Sequence, residues 1–287
     1  MMYKHVAIVS QKPWTSALTE VALAGGITGA GVQLLTFPLD PILTRMQVHG
    51  SGFSASVGHV RQTGGWFGGL KGPLVAASVR RSVTFFPMEG GKLLSVACGI
   101  DVFWGGVAGS AMGGFAESCV TTVSERYKTI KQANKHYALP AMYPVTRETL
   151  RYWYRGMFPN AVKNVTANPI LFALSPRIAE HLPGWIPDSV KPFASAFALS
   201  HVVQLWGAPL ERCRALMQTP SEALSRPEYG GLGVTDTLHT IYKHEGLAGI
   251  LKGYWLRSTR VGLVSGVTMT VYPKVLDHVG TWLGEQG

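Results

Sequence analysis

Three acids, Asp40, Glu125 and Glu211, recur 85 and 86 residues apart, and each is followed seven residues later by a glutamine, Gln47, Gln132 and Gln218. Lys128 and Arg214 stand three residues after the second and third acids, where the first copy has Leu43. The segments read PLDPILTRMQ, VSERYKTIKQ and PLERCRALMQ. The chemistry they offer is charge and hydrogen bonding. No nucleophile motif, phosphate loop, dinucleotide fingerprint or HExxH accompanies them, and the histidines do not fall at metal-ligand spacing. Cys98, Cys119 and Cys213 are scattered, without the spacing of a disulfide framework or a zinc site. The sequence therefore predicts no enzyme, no metal and no cofactor.

The frame around these segments repeats as well. Thirteen residues before each segment lie Gly25, Ser110 and Ala196, and four residues further on Gly29, Gly114 and Ser200. Small residues four apart share a helix face and let two backbones approach, as helices do in lipid. Downstream, LKG (70–72), YRG (154–156) and LKG (251–253) each precede another apolar run. A fixed period of this length signals stacked copies of one supersecondary unit. Apolar stretches near 15–46, 73–98, 104–132, 157–180, 190–218 and 254–280 each reach the ~20 residues that cross a bilayer. The expected architecture is an all-α membrane protein with six transmembrane helices in three pseudo-symmetric two-helix repeats, over 14–100, 101–187 and 188–287. Short amphipathic helices are expected in 55–70, 140–153 and 233–246, with kinks at Pro38 and Pro209 and a shallower one at Val123.

Composition agrees: 46% of residues are hydrophobic, only 15% charged, and there are 34 glycines. A soluble helical protein is the alternative, but the glycine content and scarcity of acids suit lipid better. The net charge of +10 does not form one basic patch interleaved with aromatics, which argues against nucleic acid. Anionic lipid or an anion-binding cavity remain. The first fourteen residues lack the apolar core and cleavage site of a secretory signal, so any import address is expected to be internal.

PLDPILTRMQ after AGGITGAGVQLLTF, with YGGLGVTDTLHTIYKHEGLAGILKG (229–253) in the third copy, resembles the signature of the mitochondrial carrier family. The resemblance covers nearly the whole chain. It implies six helices around a cavity in the mitochondrial inner membrane, multi-pass, closed at the matrix end when the acid of one repeat pairs with the base of the next. Asp40 would then pair with Lys128 and Glu125 with Arg214, braced by Gln47, Gln132 and Gln218. Glu211 would find Leu43 instead of a base, leaving a weaker gate of two pairs. At the cytoplasmic end the resemblance implies a second gate, of which Glu89, Lys92 and Tyr272 are the remnant. Pro176 and Pro273 stand where the acids would be, so a working exchanger needs another closing contact, such as Tyr272 with Met88.

The same resemblance places substrate contacts on the second helix of each repeat, at Arg80 and Arg81, at Lys163 and Asn164, and at Arg257 and Arg260. Seven residues are ~10 Å of helix, so these bases lie well inside a hydrocarbon core of ~30 Å. Each would cost about 2.5–3.5 kcal/mol facing lipid, so they should face a wet cavity. Lys163-Asn164 and the Arg257/Arg260 pair are most similar to the tricarboxylate (citrate) carriers. Two functions follow as expectations. One is exchange of an anionic metabolite, a di- or tricarboxylate such as citrate, with membrane lipid, cardiolipin, bound and no nucleic acid. The other is a carrier fold that has lost transport and serves as a structural or accessory subunit of a large inner-membrane complex, respiratory or ATP synthase.

Overall fold

The computed structural model describes residues 14–48, 51–67, 70–133, 145–219 and 232–284, all helix, turn or loop with no strand among them. Helix α1 (Trp14–Thr36) stops at the turn Phe37–Pro38 and resumes as α2 (Leu39–Val48). The break has a local cause, because proline disfavours helical backbone at the residue before it. The short α3 (Phe53–Thr63) leads into the long α4 (Lys71–Ala97) and α5 (Val102–Ala133). After α6 (Arg147–Trp153), α7 (Met157–Asn168) passes through a π-helical stretch, Pro169–Leu174, into α8 (Ser175–Glu180). Then come α9 (Lys191–Gln218), α10 (Val234–Ile250) and α11 (Tyr254–Gly284). The three short helices α3, α6 and α10 fall where amphipathic connections were expected. Of the proposed kinks, only the one at Pro38 interrupts a helix. α9 runs through Pro209 and α5 through Val123 without a break.

The long segments close a ring in chain order. α1 packs on α4, α4 on α5, α5 on α7, α7 on α9, α9 on α11, and α11 returns to α1. Small residues set the crossings inside each repeat. A Cβ at Gly25 would stand 3.1 Å from the backbone carbonyl of Arg81 in α4, and one at Gly114 would press on the carbonyl of Asn164 in α7. In the third copy, the Ser200 hydroxyl donates to the Ser258 carbonyl at 3.2 Å, tying α9 to α11. The base-glycine pairs also have a backbone role. Gly156 and Gly253 both adopt φ of 81°, the left-handed region that a side chain strains, immediately before α7 and α11.

Polarity is inverted relative to a water-soluble protein. Asp40, Glu211, Arg126 and Arg212 are buried, whereas Leu35 is 72% exposed, Met112 67% and Trp255 74%. Exposed large apolar side chains around the ring with charges inside suit a lipid surround. By length and composition alone, one described helix, Thr15–Thr36, is apolar enough to cross a membrane.

Two buried arginines, absent from the sequence-based expectations, fasten the short helices. Arg126 donates to the Tyr152 carbonyl in α6 and lies 3.7 Å from the Tyr152 ring centroid. Arg212 donates to the Gly249 carbonyl and pairs with Glu245 of α10 at 2.8 Å. Each directly follows a repeat acid, and the first copy has Pro41 there. Removing Arg212 leaves Glu245 paired with Lys252 at 4.0 Å and takes the donor from the Gly249 carbonyl, so Arg212→Ala is expected to destabilise by roughly 3 kcal/mol, read as thermal unfolding in detergent. An unchanged melting temperature would show that α10 is held by the apolar contacts of its Ile241 with Ala215 and Leu216 of α9 alone.

Candidate functional site: a charged cavity within the helix ring

The ring encloses a cavity lined by seven bases (Arg80, Arg81, Lys128, Lys163, Arg214, Arg257, Arg260) and four acids (Asp40, Glu117, Glu125, Glu211). Three positive charges are thus left over, and the lining is polar where a soluble core would be apolar.

The acids of the three repeats sit on α2, α5 and α9. Lys128 donates to Asp40 at 2.5 Å, and Arg214 donates to Glu125 at 3.3 Å, the two pairs the family resemblance implies. Arg214 also donates to Gln218 at 3.1 Å. The side chains of Gln47 and Gln132 lie outside the described residues. Glu211 requires a correction. Leu43 supplies no base, yet Glu211 is the most heavily paired acid, held by Lys163 at 2.8 Å, by Arg257 at 2.8 Å and by Arg214 one turn away on its own helix. The expectation of an acid without a partner considered only the first helices of the repeats. Tertiary packing brings bases from the second helices instead. Leu43→Lys would add a fourth base to a satisfied acid, so it is expected to leave the melting temperature in detergent unchanged within about 1 kcal/mol of stability. A large rise would show that the third pair is the missing element after all.

The second-helix bases form a ring of their own. Arg80 of α4 pairs with Glu125 of α5, Lys163 of α7 with Glu211 of α9, and Arg260 of α11 with Asp40 of α2. Each base thus holds the acid of the following repeat, and the pattern closes on itself three times. Gln33 donates to Asp40 at 3.1 Å, and Gln204 accepts from Arg257 at 3.2 Å. Arg81 differs: among the described residues no carboxylate lies within ion-pair distance, and its guanidinium stands 5.2 Å from the Phe172 ring centroid. Asn164 lines the cavity, but its amide donates to Ser118 at 3.0 Å in the α5–α7 crossing. Glu117 went unnoticed in the sequence because it lies outside the repeated segments. It accepts from Thr84 at 2.9 Å and Asn168 at 3.2 Å and stands 3.5 Å from Arg80.

Beyond these charges, at the end remote from the repeat acids, the interior turns apolar. Phe85, Met88, Phe172, Tyr272 and Leu276 belong to one buried cluster drawn from α4, the π stretch and α11. Phe85 meets Tyr272 at 4.1 Å between ring centroids and Phe172 edge-on at 5.4 Å. Pro169 and Pro176 bracket the π stretch that presents Phe172, consistent with the helix hydrogen bonds each proline forfeits. Glu89 and Lys92 pair at 2.7 Å within α4 and so link no two helices.

A charged cavity inside a closed six-helix ring is the arrangement that the resemblance to mitochondrial carriers implies. The family described as mitochondrial carrier protein matches residues 188–281. The chain is 28% identical over 278 residues to the mitochondrial adenyl nucleotide antiporter of Oryctolagus cuniculus, covering 90% of this chain and 58% of that protein. It is 24% identical over 290 residues to the mitochondrial 2-oxodicarboxylate carrier of Rattus norvegicus, covering 91% of this chain and 94% of that protein, and 24% identical over 304 residues to its Homo sapiens counterpart. The chain therefore spans somewhat more than half the length of the antiporter relatives and nearly the whole of the 2-oxodicarboxylate carriers. These likenesses support the carrier family for this chain.

Proposed function

We propose that the chain is a mitochondrial inner-membrane carrier, not an enzyme, that exchanges an anionic metabolite of the di- or tricarboxylate class, citrate being the representative. The excess of three positive charges in a cavity reached by bases from all three repeats carries this reading. Several bases on neighbouring helices grip a multiply charged carboxylate by charge-assisted hydrogen bonds. Residues 14–100, 101–187 and 188–287 are the three carrier repeats in this reading. Arg80, Arg81, Lys163, Arg257 and Arg260 contact substrate, while Asn164 positions α7. Asp40, Glu125 and Glu211, with Lys128, Arg214 and the glutamines, close the matrix end. The relatives include 2-oxodicarboxylate carriers, which supports a carboxylate, and adenyl nucleotide antiporters, which make ADP the competing substrate. No cofactor is required, and cardiolipin is the expected lipid partner. Exchange in proteoliposomes loaded with radiolabelled citrate, 2-oxoglutarate or ADP tests the proposal. Uptake of ADP with neither carboxylate taken up would reject it.

One observation favours a second reading, a carrier fold retained as a subunit of a large inner-membrane complex. At the end remote from the repeat acids, Pro176 and Pro273 stand where the family resemblance places acids, so neither position contributes a carboxylate to a closing pair. Mild-detergent native gels separate the two. Co-migration with a complex and no citrate-induced thermal shift would reject the exchanger, and a monomer stabilised by citrate would reject the subunit.

A further inference from the structure

Resting on the carboxylate reading above, we infer that Glu117 and Arg81 form a subsite for an α-amino-carboxylate group, so that the cavity takes dicarboxylates bearing a 2-ammonium group as well as plain ones. Eight residues before the repeat acids, the three copies carry Val32, Glu117 and Val203. All three are buried, so valine satisfies the packing at this position twice. A carboxylate at the same position costs free energy unless it is paired, and packing gives no reason for one in the second copy alone.

The surroundings of Glu117 define what it is equipped to hold. Twelve residues after the glycine of each base-glycine pair stand Thr84, Asn168 and Ser265, a buried layer of uncharged polar side chains on α4, α7 and α11. Glu117 reaches the first two from α5, and its Oε2 takes both hydrogen bonds, from Thr84 at 2.9 Å and Asn168 at 3.2 Å. Oε1 makes no hydrogen bond among the described residues. Arg80 Nε stands 3.5 Å from it without forming one, while Arg80 Nη2 holds Glu125. Glu117 therefore lines the cavity with acceptor capacity to spare. The next residue of α4, Arg81, lines the same cavity and has no carboxylate within ion-pair distance among the described residues. An uncommitted cation and a half-committed carboxylate on neighbouring helices, too far apart to pair, complement a ligand with opposite charges on one carbon atom. An α-amino acid is such a ligand. Its carboxylate takes Arg81, and its ammonium donates a charge-assisted hydrogen bond to Glu117 Oε1. The second carboxylate of a 2-amino dicarboxylate falls to the remaining cavity bases. Val32 and Val203 leave the other two walls without an acceptor for the ammonium group at this level.

Uptake of radiolabelled L-glutamate and glutarate, which share one carbon chain and differ in the amino group alone, tests the inference in proteoliposomes carrying the intact chain. The wild-type protein is expected to take up glutamate with a KM no more than about threefold above that of glutarate. Glu117→Gln keeps the shape and an acceptor for Thr84 and Asn168 but loses the charge. It is expected to raise the ratio of the glutamate KM to the glutarate KM at least about tenfold. Glu117→Val, the residue of the other two copies, is expected to do the same and carries the test if the glutamine variant fails to fold, the wild-type comparison standing on its own. A merely structural Glu117 moves both substrates together. An unchanged ratio in the folded variants, or wild-type uptake of glutarate without glutamate, therefore overturns the subsite while leaving the carboxylate carrier standing. Failure of the folded wild type to take up glutarate, glutamate or citrate rejects the carboxylate reading itself and the inference with it.

Discussion

Lys163→Ala and Arg260→Ala are each expected to abolish carboxylate exchange while the ring still folds. Lys163 and Arg260 reach the cavity from α7 and α11, and each holds a repeat acid from the neighbouring repeat. Truncating one member of a buried, hydrogen-bonded charge pair costs roughly 2–5 kcal/mol of binding, so affinity for a carboxylate should fall at least about 30-fold. The same substitution also takes one cation from the paired acid, leaving Glu211 with Arg257 and Arg214, or Asp40 with Lys128. Initial rates in proteoliposomes, with circular dichroism to confirm folding, check the result. Normal exchange by both variants would place the anion site elsewhere.

Phe85→Ala combined with Tyr272→Ala is expected to convert coupled exchange into leak. The apolar cluster of Phe85, Met88, Phe172 and Tyr272 fills the interior at the end remote from the repeat acids. Removing a buried aromatic costs about 3 kcal/mol or more, and that bias moves a two-state equilibrium by more than about 100-fold. Citrate preloaded into vesicles should then escape without counter-substrate on the outside. Retention equal to wild type would show that other contacts close that end. Tyr272 with Met88 was the contact anticipated from the sequence, and the structure places both in this cluster. Phe85 and Phe172 were not foreseen, because nothing in a lone FFP or ILF run shows that α4 and the π stretch meet.

The amino-acid sequence by itself determined the periodic part of this protein. Acids at 40, 125 and 211, glycines and serines four apart, and base-glycine pairs recur at one spacing, because three copies of one unit must bury the same face against the same neighbours. Helix positions follow from that period, the break at Pro38 from the proline itself, and the Asp40–Lys128 and Glu125–Arg214 pairs from the family resemblance those segments carry. Tertiary structure decided what the period does not carry. Glu211 is satisfied although Leu43 offers nothing, since Lys163 and Arg257 reach it from helices 48 and 46 residues away in sequence. Arg126 and Arg212 fasten the short helices, and Glu117 joins the cavity, each through partners set by how the ring closes. An ion pair depends on distances of a few ångströms, and spacing along a chain fixes such distances only within one helix. Between helices the crossings fix them, and those depend on every small residue at the contact together.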